Sequence, residues 1–231
     1  MPNSFKSHHP PSNAPRRIGL GVFLIVALSL TTGPAVATTL PGEPVSLQVQ
    51  ASQKRAEKAF AKGDYERAHW HYRTVLAPAG DKYAHYMLGY LHEHGLGVPR
   101  DPARALAWYR LAAERDYELL VTAYEGLAAN IRADDRKRAG RVFGSLRERY
   151  GDRTLLTRAI KRNERNLRRR TGTRTGGYAG PLYIVQPLKM GMIEPGERYY
   201  DALERRIELQ YQSLERLGGD VQLGELELID P

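Results

Sequence analysis

Residues 83–117 read YAHYMLGYLHEHGLGVPRDPARALAWYRLAAERDY. Tyr83, Met87, Tyr90 and Leu91 recur at three- and four-residue spacing, the period of one buried helix face. Gly95-Leu96-Gly97-Val98-Pro99 then breaks the pattern. Asp101-Pro102 restarts it, with a capping carboxylate followed by proline at the first helical position. Ala105, Trp108, Tyr109 and Ala112 line the second face. The stretch therefore predicts two helices, about Lys82 to His94 and Pro102 to Arg115, joined as an αα-hairpin.

The same pattern extends upstream. Ala56, Ala59 and Phe60 mark a helix over about 47–61, and Lys62-Gly63-Asp64 breaks it. Ala68, Tyr72 and Val75 mark a second over about 65–76, which Pro78 and Gly80 end. Downstream, Leu119, Leu120, Tyr124, Leu127 and Ile131 line one further helix. Ala139, Val142, Phe143 and Leu146 line the next, with Asp134-Asp135 as its expected cap. Gly151-Asp152 restarts a helix whose apolar side carries Leu155, Leu156, Ala159, Ile160 and Leu167. The predicted class is all-α: an αα-hairpin solenoid with additional C-terminal helices and one Gly/Pro-rich irregular segment.

Within 83–117, Ala84, Leu88-Gly89, Leu91, Gly95, Gly97-Val98, Asp101, Ala105, Trp108-Tyr109 and Ala112-Ala113 form a dense pattern that resembles the Sel-like repeat, a relative of the tetratricopeptide repeat. Residues 49–77, with Gly63-Asp64-Tyr65 and Ala68, resemble a truncated first unit, and residues 118–150 a degenerate third. His92 stands where the family usually carries Tyr, and Arg115-Asp116 where it carries Gly. These departures suggest that the array ends there. The resemblance implies an adaptor whose first helices line a face that grips a protein or peptide. It also implies that these repeat residues are scaffold. Ala84, Gly89 and Ala105 are small where helices cross, Gly95 and Gly97 take positive φ, and Trp108 and Tyr109 fill the gap between neighbouring repeats.

Upstream of the helices the chain changes character. Arg16 and Arg17 precede the uncharged apolar run 18–30, and Ala35-Val36-Ala37 is a small-x-small cleavage pattern, as in a secretory signal. The run has 13 residues, short of the ~20 that span a bilayer. The expectation is export to the periplasm, with a retained inner-membrane anchor as the alternative. The expected organisation is a signal peptide 1–37, a flexible linker 38–46, a helical-repeat domain 47–150, a basic helix 151–170, an irregular linker 171–197 with a β-like run at Tyr183–Val185, a C-terminal helix 198–217 and an acidic tail 218–231.

The 231 residues include no Cys. Disulfides, Cys-ligated zinc and thiol catalysis are excluded. Some cysteine-rich relatives are linked to β-lactam or cell-wall chemistry, and this chain lacks their disulfides. The formal charge is +9, and residues 131–170 alone hold 15 Lys+Arg against 5 Asp+Glu. The basicity thus belongs to one segment. Its surface residues Arg165, Arg168, Arg169 and Arg170 suggest anionic lipid or cell-wall polymer as a second partner class. Export argues against nucleic acid.

No catalytic constellation stands out, and the expectation is a protein that is not an enzyme and holds neither cofactor nor metal. His69 with His71, and His92 with His94, lie two residues apart, about 200° around a helix, so neither pair can chelate. Glu93 and Asp101 could be imagined as an acid/base pair, but Asp101 is better read as a cap. Thr171–Gly177 lacks the ending of a phosphate loop. The candidate binding residues are Tyr86, Tyr90 and Glu93, a stripe on the helix over 82–94. Tyrosine buries area while keeping a polar tip, which suits an interface.

Overall fold

A computed structural model describes residues 40–168, 183–186 and 192–217. The expected signal segment, Arg169, Arg170, the Thr171–Gly177 run and the acidic tail lie outside them. Helix α1 (Leu47–Ala61) starts where the Ser46 side chain accepts a hydrogen bond from the Val49 N–H. Helix α2 (Tyr65–His71) is capped in the same way by Asp64. It does not run on as plain α-helix to Leu76. A π-helical turn covers Tyr72–Leu76 and a 3-10 turn covers Ala77–Ala79. Pro78 is the physical reason, because in an α-helix its ring would meet the carbonyl one turn back. The widened turn lets the Ala77 N–H reach the Tyr72 carbonyl instead.

Helix α3 (Lys82–His94) is capped by Asp81 and closes at Gly95 in the left-handed region. Helix α4 (Pro102–Ala112) is capped by Asp101 and ends in a 3-10 turn, Ala113–Arg115. Asp116 follows at φ +54°, a conformation that costs an L-residue energy. This is the place where the repeat pattern usually has Gly.

Helices α5 (Glu118–Asn130) and α6 (Ala133–Tyr150) form the third, degenerate pair. Helix α4 packs on α3 and on α6 far more extensively than on α5. Of α5's residues only Leu120 is buried, and Leu119, expected on its apolar face, is 56% exposed. The expected Asp134-Asp135 cap is not formed. Arg132 occupies the cap position without a side-chain bond, and Asp135 instead accepts from Arg138 at 3.1 Å.

Helix α7 (Asp152–Arg168) follows directly and packs on α6 and on the last helix, α8 (Gly196–Arg216). Between them, β1 (Tyr183–Gln186) and β2 (Met192–Pro195) pair antiparallel, with Tyr183 opposite Pro195. The irregular segment thus contains two short strands rather than one, and α8 starts two residues earlier than expected.

The main core joins α1, α2, α3, α4 and α6 through Ala56, Tyr72, Leu88, Leu91, Trp108 and Leu111. A second cluster sets Leu155, Leu156, Ala159 and Ile160 of α7 against Leu214 and Leu40. Leu40 belongs to the segment expected as a flexible linker. It is pinned there, because Glu43 also accepts from Arg162, Asn163 and Gln210 at 2.7–3.0 Å. Among the described residues no helix is long and apolar enough to cross a membrane.

Candidate functional site

The repeat residues take up their positions around one crossing. Ala84 and Ala105 are fully buried. A Cβ at Gly89 would stand 2.5 Å from Cδ1 of Tyr109. The glycine therefore makes room for an aromatic ring of the same hairpin. Tyr109 fills the α3–α4 crossing, not the gap between repeats expected of it. Its hydroxyl donates to Glu93 at 2.7 Å. Trp108 does reach the next pair, with its ring centroid 5.4 Å from Tyr150 of α6, while it also lies 5.6 Å from His85 of its own hairpin. Gly95 and Gly97 both have φ +67°, and a Cβ at Gly97 would press on the Tyr65–Glu66 backbone.

Tyr86, Tyr90 and Glu93 stand half-buried on α3. The Tyr86 ring lies 5.5 Å from Tyr109 and 6.1 Å from Tyr83. The Tyr90 ring lies 6.0 Å from Phe60 of α1 and 4.1 Å from His94. The stripe is neither free surface nor core. One side of each ring is held by neighbours and the other meets solvent. Burial pushes both phenols' pKa up, so they stay neutral donors at ordinary pH. Glu93 and Asp101 are not an acid/base pair. Glu93 serves Tyr109, whereas Asp101 caps α4 and binds Arg138 at 2.8 Å.

A second concave feature lies on the other side of α3. His92 is about 200° around the helix from Tyr90. It lines a cleft of about 290 Å³ with His69 of α2, Arg73 of the π-helical turn, Arg104 and Trp108 of α4, and Arg149 of α6. A wider cleft of about 530 Å³ adjoins it, sharing Arg73, Arg149 and Tyr150 and adding Arg158 and Arg162 of α7. Among the described residues no carboxylate lines either cleft. Burial, then Arg73 and Arg104, lower the pKa of His69. Burial, then Arg104 and His69, lower that of His92 to about 4.

The predicted basic residues behave differently. Arg165 and Arg168 are exposed on α7 and line neither cleft. The arginines that line the clefts come from the π-helical turn, α4, α6 and α7; Arg149, Arg158 and Arg162 belong to the basic segment read from the sequence, but Arg73 and Arg104 do not. The only local signal is His69 with Arg73, four residues apart. Exposed Trp70, at 55%, was also missed. Among the described residues no group of three His, Asp or Glu side chains has metal-binding geometry.

The family model of the Sel1 repeat matches residues 82–117, the α3–α4 hairpin with its Gly89–Tyr109 crossing. The chain carries a Sel1 repeat. Sel1 repeats generally mediate protein–protein interaction. No curated protein matches the chain. Among solved structures, the crystal structure of a protective antigen present in uropathogenic Escherichia coli strains, displaying an SLR fold, aligns with 20% identity and a TM-score of 0.39. The alignment covers 58% of this chain and 27% of that one.

Proposed function

We propose that this Sel1-repeat protein is an exported, non-enzymatic scaffold of the bacterial cell envelope that holds a protein or peptide against α3. The observation that carries the reading is the half-buried Tyr86–Tyr90–Glu93 stripe on the first helix of the Sel1 hairpin. Rings already fixed by Tyr109 and Phe60 lose little side-chain freedom on binding, so they are efficient anchors. Glu93 lies close to both tyrosines, and Glu57 of α1 to neighbouring Tyr83, which favours a partner segment with apolar and basic side chains. Export rests on Arg16-Arg17, the apolar run 18–30 and the Ala35-Val36-Ala37 site.

A photocrosslinking residue placed at Tyr90 and, in a separate protein, at exposed Arg141 tests the reading in the native envelope fraction. A discrete protein adduct from position 90 alone supports it. No adduct, or the same adducts from both positions, contradicts it.

A further inference from the structure

We propose that the paired clefts between α2, α4, α6 and α7 form a binding site for a linear oligoanion with at least two phosphate groups, centred on Arg73 and Arg149. The site is independent of the protein-binding stripe, since it lies on the other side of α3.

Three observations carry it. First, the clefts are contiguous and cationic. Arg73 and Arg149 line both, His69, His92 and Arg104 extend one lobe, and Arg158 and Arg162 extend the other. Second, the charges are not neutralised locally. Among the described residues, Arg73, Arg149 and Arg158 have no carboxylate within ion-pair distance. Arg104 keeps a 3.6 Å pair with Asp101, and Arg162 a 2.7 Å pair with Glu43. By contrast, the more buried cations Lys82 and Arg115 are closely paired with Glu114 and Asp152. Third, His92 is 93% buried, since only 7% of its surface is exposed, and among the described residues its Nδ1 has no hydrogen-bond partner. A buried polar atom in that state needs a partner.

The geometry points to phosphate. Donors arrive from separate elements, Arg73 from the π-helical turn, Arg104 from α4 and Arg149 from α6, and so approach from several directions. A tetrahedral anion accepts from all those directions, whereas a carboxylate offers two oxygens in a plane. Guanidinium groups bind phosphate oxygens in bidentate fashion. Two lobes sharing Arg73 and Arg149 give room for two linked groups. Trp108 and Tyr150, both buried, form a firm wall behind them. Burial is the main reason that His69 and His92 stay uncharged, with Arg73 and Arg104 adding to it at His69 and Arg104 at His92, and an anion in the first lobe would offset these arginine contributions. Binding should therefore draw protons onto these imidazoles.

Calorimetry with sodium tripolyphosphate and with orthophosphate tests the site on the purified protein. Tripolyphosphate should bind at least about tenfold more tightly than orthophosphate. Arg73→Gln with Arg149→Gln should weaken tripolyphosphate about tenfold or more, the loss expected of charge-assisted hydrogen bonds. Both side chains are exposed, so folding should survive, and a thermal melt checks this. Arg165→Gln with Arg168→Gln removes the same charge outside the clefts and should change affinity by less than about twofold, as expected for distant screened charges. The His92 imidazole resonance should shift toward its protonated position as tripolyphosphate is added. Phosphatidylcholine vesicles doped with cardiolipin, whose headgroup carries two linked phosphates, separate the two sources of such a ligand. Sedimentation that the Arg73/Arg149 variant abolishes assigns a lipid headgroup, and tripolyphosphate binding without sedimentation assigns a soluble oligophosphate. Wild-type affinity in the Arg73/Arg149 variant, an equal loss in the Arg165/Arg168 variant, or equal affinity for the two phosphates would overturn the proposal.

Discussion

The ammonium of Lys82 lies 3.1 Å from the carboxylate of Asp152, and both side chains are almost wholly buried. Lys82 also donates to Glu114 at 2.7 Å and to the Leu111 carbonyl at 2.9 Å, while Arg115 reaches Asp152 at 2.7 Å. This cluster ties the first turn of α3 to the end of α4 and the start of α7. It thereby fastens the Sel1 hairpin to the C-terminal helices.

Removing one partner from such a cluster strands the others. Lys82→Ala should cost about 3–5 kcal/mol, the usual penalty for leaving buried charge uncompensated. Arg115 still serves Asp152, which places the expectation toward the lower end. Chemical denaturation measures it, and a loss under about 1 kcal/mol would mean that the cluster is solvated and weak.

The Gly89–Tyr109 contact makes an opposite kind of demand. Gly89→Ala should destabilise by about 1–3 kcal/mol through overpacking. Tyr109→Leu in the same protein should return part of that loss, because the ring is what the new methyl meets. Additive effects of the two changes would contradict the contact.

Asp116 is a place where a substitution should help. At φ +54° glycine pays no steric cost. Asp116→Gly should raise stability by about 0.5–1 kcal/mol, read as a higher melting temperature. An unchanged or lower value would show that the Asp side chain compensates locally.

Acid should weaken the fold through the histidines. The folded chain resists protonating His92 until about pH 4, whereas an unfolded chain takes that proton near pH 6.5. The unfolded state binds more protons in between, so this stability is present above about 6.5 and is lost as pH falls toward 4. Buried His85, also shifted down, acts in the same direction. Asp152, which Arg115 and Lys82 hold low against the effect of burial, extends the loss to lower pH. His92→Gln should make the slope between pH 6.5 and 4 shallower without abolishing it. An unchanged slope would mean that His92 titrates as if exposed.

Much of the fold was legible because its signals are local. Gly95 and Asp101-Pro102 mark the break between α3 and α4, and the three- and four-residue spacing of Met87, Leu91, Trp108 and Ala112 names the buried faces. What was not legible depends on distance in the chain. Nothing near Leu40 or Glu43 announces that α7 and α8 hold them. Asp134 and Asp135 have the chemistry of a cap but begin two residues after Arg132, which holds the cap position. Arg73 and Arg104 read as scattered surface charge until the π-helical turn and α4 bring them to one cleft with Arg149 of α6. Tyr86 and Tyr90 were visible as a stripe, yet periodicity alone could not show that each ring is half held and half free.

The proposed export makes its own prediction. The mature chain should begin at Thr38, after Ala37. N-terminal sequencing of protein from the envelope fraction decides it, and recovery of residues 18–30 would mean an anchor instead.

The most direct test of the scaffold account removes the stripe. Tyr86→Ala with Tyr90→Ala, and Tyr90→Ala alone in case the pair unfolds, should be compared with the unaltered protein for capture of the adduct partner identified at position 90. The rings are half-buried, so the double variant should melt at a lower temperature but still cooperatively, with its helical far-ultraviolet spectrum intact. The account predicts that this folded variant no longer captures the partner and that Tyr90→Ala captures it weakly. A folded double variant that captures the partner as well as the unaltered protein would contradict it.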